Sequence, residues 1–240
     1  MILLLLDFDG TLAPIKPHPA QACLSPRSRS LVGKLAASPG IKTAIISGRS
    51  LADIKRLVPG PGLYYAGCHG LEMEGPGIKF IHPQARAALP DLKTLKNEML
   101  SLEKEFPGAV VEDKRLSVAL HYRRVAGKYL PLLRQRAINI GNKHPALYCQ
   151  MGRKVYDFIP RVGWNKGQAV KRLVKKLSRY RPFPIYMGDD ETDESAFREL
   201  SGRGLTILVE SSEKDARKTR AVLRLRSIKG ARAFLNGLVQ

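Results

Sequence analysis

A five-residue apolar run, Ile2 to Leu6, ends abruptly in Asp7-Phe8-Asp9-Gly10-Thr11-Leu12. Its apolar positions are successive rather than alternate, which predicts a strand buried on both faces in a parallel sheet. The two carboxylates and the glycine turn then fall at the C-terminal edge of that sheet, where open α/β folds place their ligands. Far downstream the segment Pro184 to Met187 has the same strand-like character and is followed by Gly188-Asp189-Asp190-Glu191-Thr192-Asp193-Glu194. One acidic turn by itself is as readily a solvated loop or a helix cap. Two of them, each closing an apolar segment, point to acids gathered in one pocket.

If Asp7, Asp9, Asp189 and Asp193 converge, each pair of unit charges at ~4 Å and an effective dielectric of ~20 repels by roughly 4 kcal/mol. A cation must sit among them. An all-oxygen donor set without a His or Cys cluster suits a hard divalent ion, and one that keeps waters and bridges to phosphate is Mg2+. Asp7 and Asp9 are two residues apart, with Gly10 able to bend the second back over the pocket. One of such a pair can attack phosphorus and the other can move a proton. Ser47-Gly48-Arg49 follows the apolar Ala44-Ile45-Ile46 and opens a helix-like stretch, so it is either an anion-receiving helix start or a plain N-cap turn. Lys166, at the head of the next helical pattern, either balances the nucleophile or is a solvated surface lysine.

Taken in order, Asp7-Phe8-Asp9-Gly10-Thr11, Ser47-Gly48-Arg49, Lys166 and Gly188-Asp189-Asp190 resemble the four motifs of the haloacid dehalogenase superfamily. Within it the chain resembles the trehalose-6-phosphate phosphatases, through Gly67-Cys68-His69-Gly70-Leu71-Glu72, Glu112-Asp113-Lys114, His121-Tyr122-Arg123, Trp164-Asn165-Lys166-Gly167 and the Gly188 to Glu194 run. The resemblance implies Asp7 as nucleophile and Asp9 as general acid and then base. It implies Mg2+ held by Asp7, the Asp9 main-chain carbonyl and Asp189, with Asp190 and Asp193 behind them. Ser47, Gly48 and Lys166 would bind the phosphoryl group. The sugar would be gripped by His69 and by the cap residues Glu112, Lys114, His121, Arg123 and Asp157. The chain departs from the family in Gly152-Arg153-Lys154-Val155-Tyr156-Asp157-Phe158-Ile159-Pro160, where Asp157 replaces a longer Glu and Ile159 an Arg. The reaction type is untouched by that departure, but the sugar is left open between trehalose 6-phosphate and another glycosyl or hexose phosphate. A mutase and a basic polyanion-binding protein on the same scaffold are the other readings.

The expected fold is α/β, a Rossmann-like parallel-sheet core with an inserted αββαββ cap. The core would take residues 1–79 and 162–240 and the cap residues 80–161. Gly75-Pro76-Gly77 and Pro160 to Gly163 are the expected hinges, and Trp164 is expected to pack at the second. A helix from about Pro83 to Phe106 is expected to open the cap, and a hairpin around Met151-Gly152 to close it.

Charge is the unusual bulk property: 41 Lys and Arg against 21 Asp and Glu give +20. The excess is concentrated in Lys171, Arg172, Lys175 and Lys176, and in Lys214, Arg217, Lys218, Arg220, Arg224 and Arg226. The first group alternates with Val170, Leu173, Val174 and Leu177 at helical spacing, as the solvent face of an amphipathic helix does. With few aromatics nearby to stack bases, nucleic acid is not the expected partner. Three cysteines without a Cys-x-x-Cys spacing indicate neither a disulfide framework nor zinc. No apolar stretch approaches the ~18 residues of a membrane span, and the first run is shorter than a ~7-residue signal core. The expected setting is cytoplasmic, and the expected state a monomer acting on a small sugar phosphate.

Overall fold

The computed structural model describes residues 1–152, 154–210 and 218–239. Arg153 of the expected hairpin and the basic residues Lys214 and Arg217 lie outside them. The chain opens with β1 (Ile2–Leu6), α1 (Pro26–Ala37), β2 (Ile41–Ile46), α2 (Leu51–Leu57), β3 (Tyr64–Gly67), β4 (Glu72–Gly75) and β5 (Ile78–Ile81). It continues through α3 (Pro83–Ala87), α4 (Leu89–Glu105), β6 (Val110–Asp113), β7 (Val118–His121), α5 (Leu130–Asn142), β8 (Leu147–Gly152) and β9 (Val155–Pro160). It ends with α6 (Lys166–Lys176), β10 (Phe183–Gly188), α7 (Glu194–Glu199), β11 (Leu205–Val209), β12 (Leu223–Leu225) and α8 (Ile228–Asn236). Met1–Phe80 with Trp164–Gln240 form one compact unit, and Ile81–Gly163 form another.

The first unit is the α/β core. Its sheet runs β12-β11-β10-β1-β2-β3-β4-β5, parallel from β12 to β3 and antiparallel where β4 joins. Leu3, Leu4, Leu5 and Leu6 are all fully buried, each such burial being worth about 1.5–3 kcal/mol. Alternation sends Leu4 and Leu6 to one face, against Leu31 and Leu35 of α1, Ile54 of α2 and Leu235 of α8. Leu3 and Leu5 go to the other, against Val170 and Leu173 of α6 and Phe197 of α7. The first half of the chain winds away from β1 through β2 and β3, and the last part returns through β10 and β11 on the other side. The switch point therefore lies between the C-terminal ends of β1 and β10, where Asp7 and Asp189 emerge.

Gly75-Pro76-Gly77 is not a hinge: it is the turn between β4 and β5, both strands of the core sheet. A glycine at φ +66° (Gly77) suits that turn, and short polar strands such as Glu72-Met73-Glu74 carry little apolar pattern. At the chain's crossings between units, the rings of Phe80 and Trp164 lie 5.3 Å apart, and the Arg172 guanidinium is 3.8 Å from the Phe80 ring centre. Trp164 thus packs at the crossing.

In the second unit an antiparallel sheet, β6-β7-β9-β8, carries helices on one face. Leu92, Leu95, Met99 and Leu102 of α4 and Leu133 and Ala137 of α5 bury Val118, Leu120, Tyr156 and Phe158. The expected single helix from Pro83 is broken at Ala88 (φ −80°, ψ 0°), because Pro90 has no N–H for the preceding turn. Register places Glu112 opposite Ala119, and Ala119 opposite Asp157, on the sheet face away from those helices. No helix among the described residues is long and apolar enough to cross a membrane. Phe158→Ala should cost about 3–5 kcal/mol, read as a lower urea midpoint; a loss under ~1 kcal/mol would show that this core collapses freely around the gap.

Candidate active site

Asp7 continues the β1 ladder by donating its N–H to the Met187 carbonyl at 2.9 Å, and its side chain is buried. The chain then folds back at once: the N–H groups of Leu12 and Ala13 both reach the Phe8 carbonyl at 3.0 Å. Gly10 is required here twice over. Its φ is +82°, and a Cβ would stand 2.0 Å from Asp189 Oδ2. Likewise a Cβ on Gly188 would stand 2.3 Å from Asp193 Cγ. The two acidic turns can approach because glycine is present in each.

Lys166, the first residue of α6 behind the Asn165 cap, is buried between them. Its Nζ donates to Asp7 Oδ1 and to Asp193 Oδ1, both at 2.7 Å. Asp193 is fully used: Oδ1 also accepts from the Tyr186 hydroxyl at 2.6 Å, and Oδ2 from the N–H groups of Asp189 and Asp190 at 3.0 and 2.9 Å. Oxygens of Asp7, Asp189 and Asp193 lie within 4.8 Å of one another. Three buried carboxylates against one ammonium leave an excess of negative charge, and an all-oxygen donor set fits a divalent cation. Burial works against the Lys166 charge, yet Asp193 and Asp7 outweigh it and hold the ammonium well above its usual range. Burial would also raise Asp193, but Lys166 overrides it and holds the acid low.

Asp9 faces elsewhere. Arg49 grips both its oxygens, Nε on Oδ2 at 2.7 Å and Nη2 on Oδ1 at 2.8 Å, while Nη1 reaches Asp53 Oδ2 at 2.7 Å. The guanidinium also lies 5.4 Å from the Phe8 ring centre. Ser47 follows β2, the parallel neighbour of β1, and its buried hydroxyl accepts from the Arg49 N–H at 3.2 Å. The turn carrying His69 is zipped to this segment by Cys68 N–H to the Arg49 carbonyl (2.7 Å) and His69 N–H to the Ser47 carbonyl (2.9 Å). Those bonds hold Cys68 and His69 at φ +49° and +58°, a left-handed region costing a non-glycine residue roughly 1–2 kcal/mol. A Cβ on Gly48 would lie 2.8 Å from His69 Cε1, so glycine lets the ring come down on the Ser47-Gly48 turn.

In the second unit the sugar-binding candidates form one ion pair and one hydrogen-bonded pair. Lys114 Nζ meets Asp157 Oδ2 at 2.7 Å, both buried, and His121 Nε2 meets Glu112 Oε2 at 2.7 Å. Arg123 lies just beyond β7, half-buried. Sequence reasoning did not single out Tyr186 or Asp53. Tyr186 was signalled only by being the one hydroxyl in an otherwise apolar strand, and Asp53 only by its i,i+4 spacing from Arg49.

A model of the trehalose-phosphatase family matches residues 5–229. The chain belongs to that family. It is 35% identical over 253 residues to trehalose-phosphate phosphatase B of Arabidopsis thaliana, covering 100% of this chain and 66% of that protein. It is 39% identical over 225 residues to trehalose-phosphate phosphatase of Mycobacterium tuberculosis, covering 92% of this chain and 57% of the relative. The chain thus spans less than two thirds of the length of these relatives. A solved structure described as a trehalose-6-phosphate phosphatase related protein superposes with a TM-score of 0.86 at 26% identity, over 99% of this chain and 96% of that one. It shares the architecture of a haloacid dehalogenase core with an inserted cap.

Asp7 carries the clearest electrostatic signature. Burial pushes its carboxyl up to about 7, with Lys166 opposing and Asp193 and Asp9 adding to the rise. An unfolded Asp titrates near ~3.9, so between there and the folded value the native state binds the extra proton, and stability falls as pH rises. In EDTA, the wild type should lose stability from Asp7 across about pH 4 to 7, and Asp7→Asn should lack that part of the slope. Parallel melting profiles for the two proteins would remove Asp7 as its source.

Proposed function

We propose that this chain is a Mg2+-dependent phosphatase that hydrolyses trehalose 6-phosphate through an aspartyl-phosphate. The observation that carries the reading is the buried Asp7–Lys166–Asp193 constellation at the switch point of the sheet, in a chain of this family. Asp7 attacks phosphorus, forming the acyl phosphate as the bond to the sugar oxygen breaks. Asp9 gives its proton to that oxygen and then takes one from the water that hydrolyses the intermediate. Lys166 and Ser47, with the Gly48 backbone, hold the phosphoryl oxygens. Asp7, Asp189 and the Asp9 main-chain carbonyl would hold the cation, since Asp193 already has a donor on each oxygen and Asp190 supplies one of them. Bound there, Mg2+ would neutralise the carboxylates and draw negative charge from the transferring group.

The sugar would be met by His69 of the core and, from the inserted cap, by Glu112, Lys114, His121, Arg123 and Asp157. Residues 81–163 act in this reading as the cap that sequesters substrate from water. A second reading, a phosphatase for another glycosyl phosphate, is favoured by Asp157, whose short side chain is engaged by Lys114. Three cysteines that form no disulfide suit a reducing cytosol.

Phosphate release from trehalose 6-phosphate should require Mg2+, stop in EDTA, and vanish in Asp7→Asn. Preference over glucose, mannose and sucrose phosphates should reach ~100-fold, roughly 2.7 kcal/mol of transition-state discrimination; a flat panel would keep the phosphatase and discard the sugar. Arg49 aims Asp9 by its two-pronged grip, so Arg49→Lys, which keeps the charge and loses the fork, should lower kcat about tenfold or more with KM little changed. Unchanged kcat would leave Asp9 correctly placed without the fork.

A further inference from the structure

Away from the acidic turns, the core carries a groove of about 650 Å³ between α1 and α8. Arg27 and Lys34 of α1 and Lys229 and Arg232 of α8 line it, over an apolar floor that includes Leu31 and Ala233. No acidic and no aromatic side chain is among its lining residues. None of the four cations makes an ion pair among the described residues. The sequence explains why: no Asp or Glu occurs between Asp9 and Asp53, and none after Asp215. Folding lays these two acid-free stretches side by side, so neither wall can neutralise the other.

Such an arrangement is unfavourable in the free protein. Lys229 and Arg232 are three residues apart on one helix face, where like charges repel. Arg27 and Lys34 are two turns apart, about 10 Å at ~1.5 Å per residue, so the positive charge is spread along the groove rather than gathered at one point. The volume is within the range of small-ligand sites, about 300–1,000 Å³. Lack of an aromatic platform argues against a stacked nucleobase and for a compact, charge-dense ligand. A second observation lies beneath the groove. A cavity of about 10 Å³ shares Leu31 and Arg232 with it and is lined by Thr11, whose buried hydroxyl has no hydrogen-bond partner among the described residues. The groove's inner wall therefore adjoins the loop that carries Asp7 and Asp9.

We propose that the groove between α1 and α8 is a second, non-catalytic site for a small polyanion bearing two or more phosphate or sulfate groups. The ligand bridges the cations of the two helices and relieves their repulsion. This site does not depend on which sugar phosphate the enzyme hydrolyses, or on whether it hydrolyses one.

Calorimetric titration with tripolyphosphate, in EDTA to exclude metal complexes, tests it. Lys229→Ala/Arg232→Ala on one wall and Arg27→Ala/Lys34→Ala on the other should each weaken binding about tenfold or more. A control pair on the exposed face of α6, Lys171→Ala/Lys175→Ala, should change it by less than about twofold. Melting temperatures report whether each variant is folded, and the two walls give independent variants should one fail. Absence of binding to the wild type would overturn the proposal. So would equal losses in the control pair, which would mean attraction to the overall charge. Undiminished binding in both groove variants would place the anion outside the groove and overturn it as well.

Discussion

The ammonium of Lys166 is the interaction on which the site depends. It joins Asp7, at the end of the first strand, to Asp193, in the loop after β10, through two bonds of 2.7 Å that no solvent screens. Taking one of these charges out of water costs several kcal/mol, and only good geometry with further hydrogen bonds offsets it. Asp193 meets that condition with four donors on its two oxygens. Asp7 does not, and its raised pKa records the difference. The partner that would complete Asp7 is positive, which is why a cation-dependent phosphoryl transfer agrees with the charge balance of the pocket and not only with family membership.

The two acids of the first turn are separated by partner as well as by position. Asp7 is enclosed with an ammonium, whereas Asp9 keeps an exposed side and is held by a guanidinium anchored on Asp53 and Phe8. Two carboxyls two residues apart can therefore take different parts in one reaction, as nucleophile and as proton carrier, because their environments differ. Arg49 is itself placed by secondary structure: it precedes α2, and Asp53 sits one helical turn on, with its N–H on the Ser50 cap.

The central strands were legible because their burial on both faces leaves an unbroken apolar run, as in Ile2 to Leu6. The acidic turns were legible because glycine and clustered carboxylates have few other uses at a strand end. The β4–β5 hairpin was not, since Glu72 to Gly75, next to the last strand of the sheet, is mostly half-buried and carries no strong period. Nor were β12 and α8, where Leu223-Arg224-Leu225 reads as part of a basic tail until the parallel sheet accepts it beside β11. In the site, motif residues stood out, and their supports did not. Tyr186 looks like any strand residue until Asp193 is folded against it, and the pairing of Arg49 with Asp9 spans forty positions that no local pattern connects.

The charge of +20 acquires meaning only once its placement is known. On α6, Lys171, Lys175 and Lys176 form the outer face of a helix whose inner face packs Val170 and Leu173, and there water solvates them. Arg49 and Lys166 are spent on carboxylates inside the core. The acid-free stretches that become α1 and α8 differ from both, because there cations from separate parts of the chain face one concavity whose lining residues include no acid. Excess charge on a convex surface is relieved by solvent and counterions. Low-dielectric walls around a groove focus it instead, and the same net charge then becomes a local potential that selects for anions whose charges are spread over a comparable length.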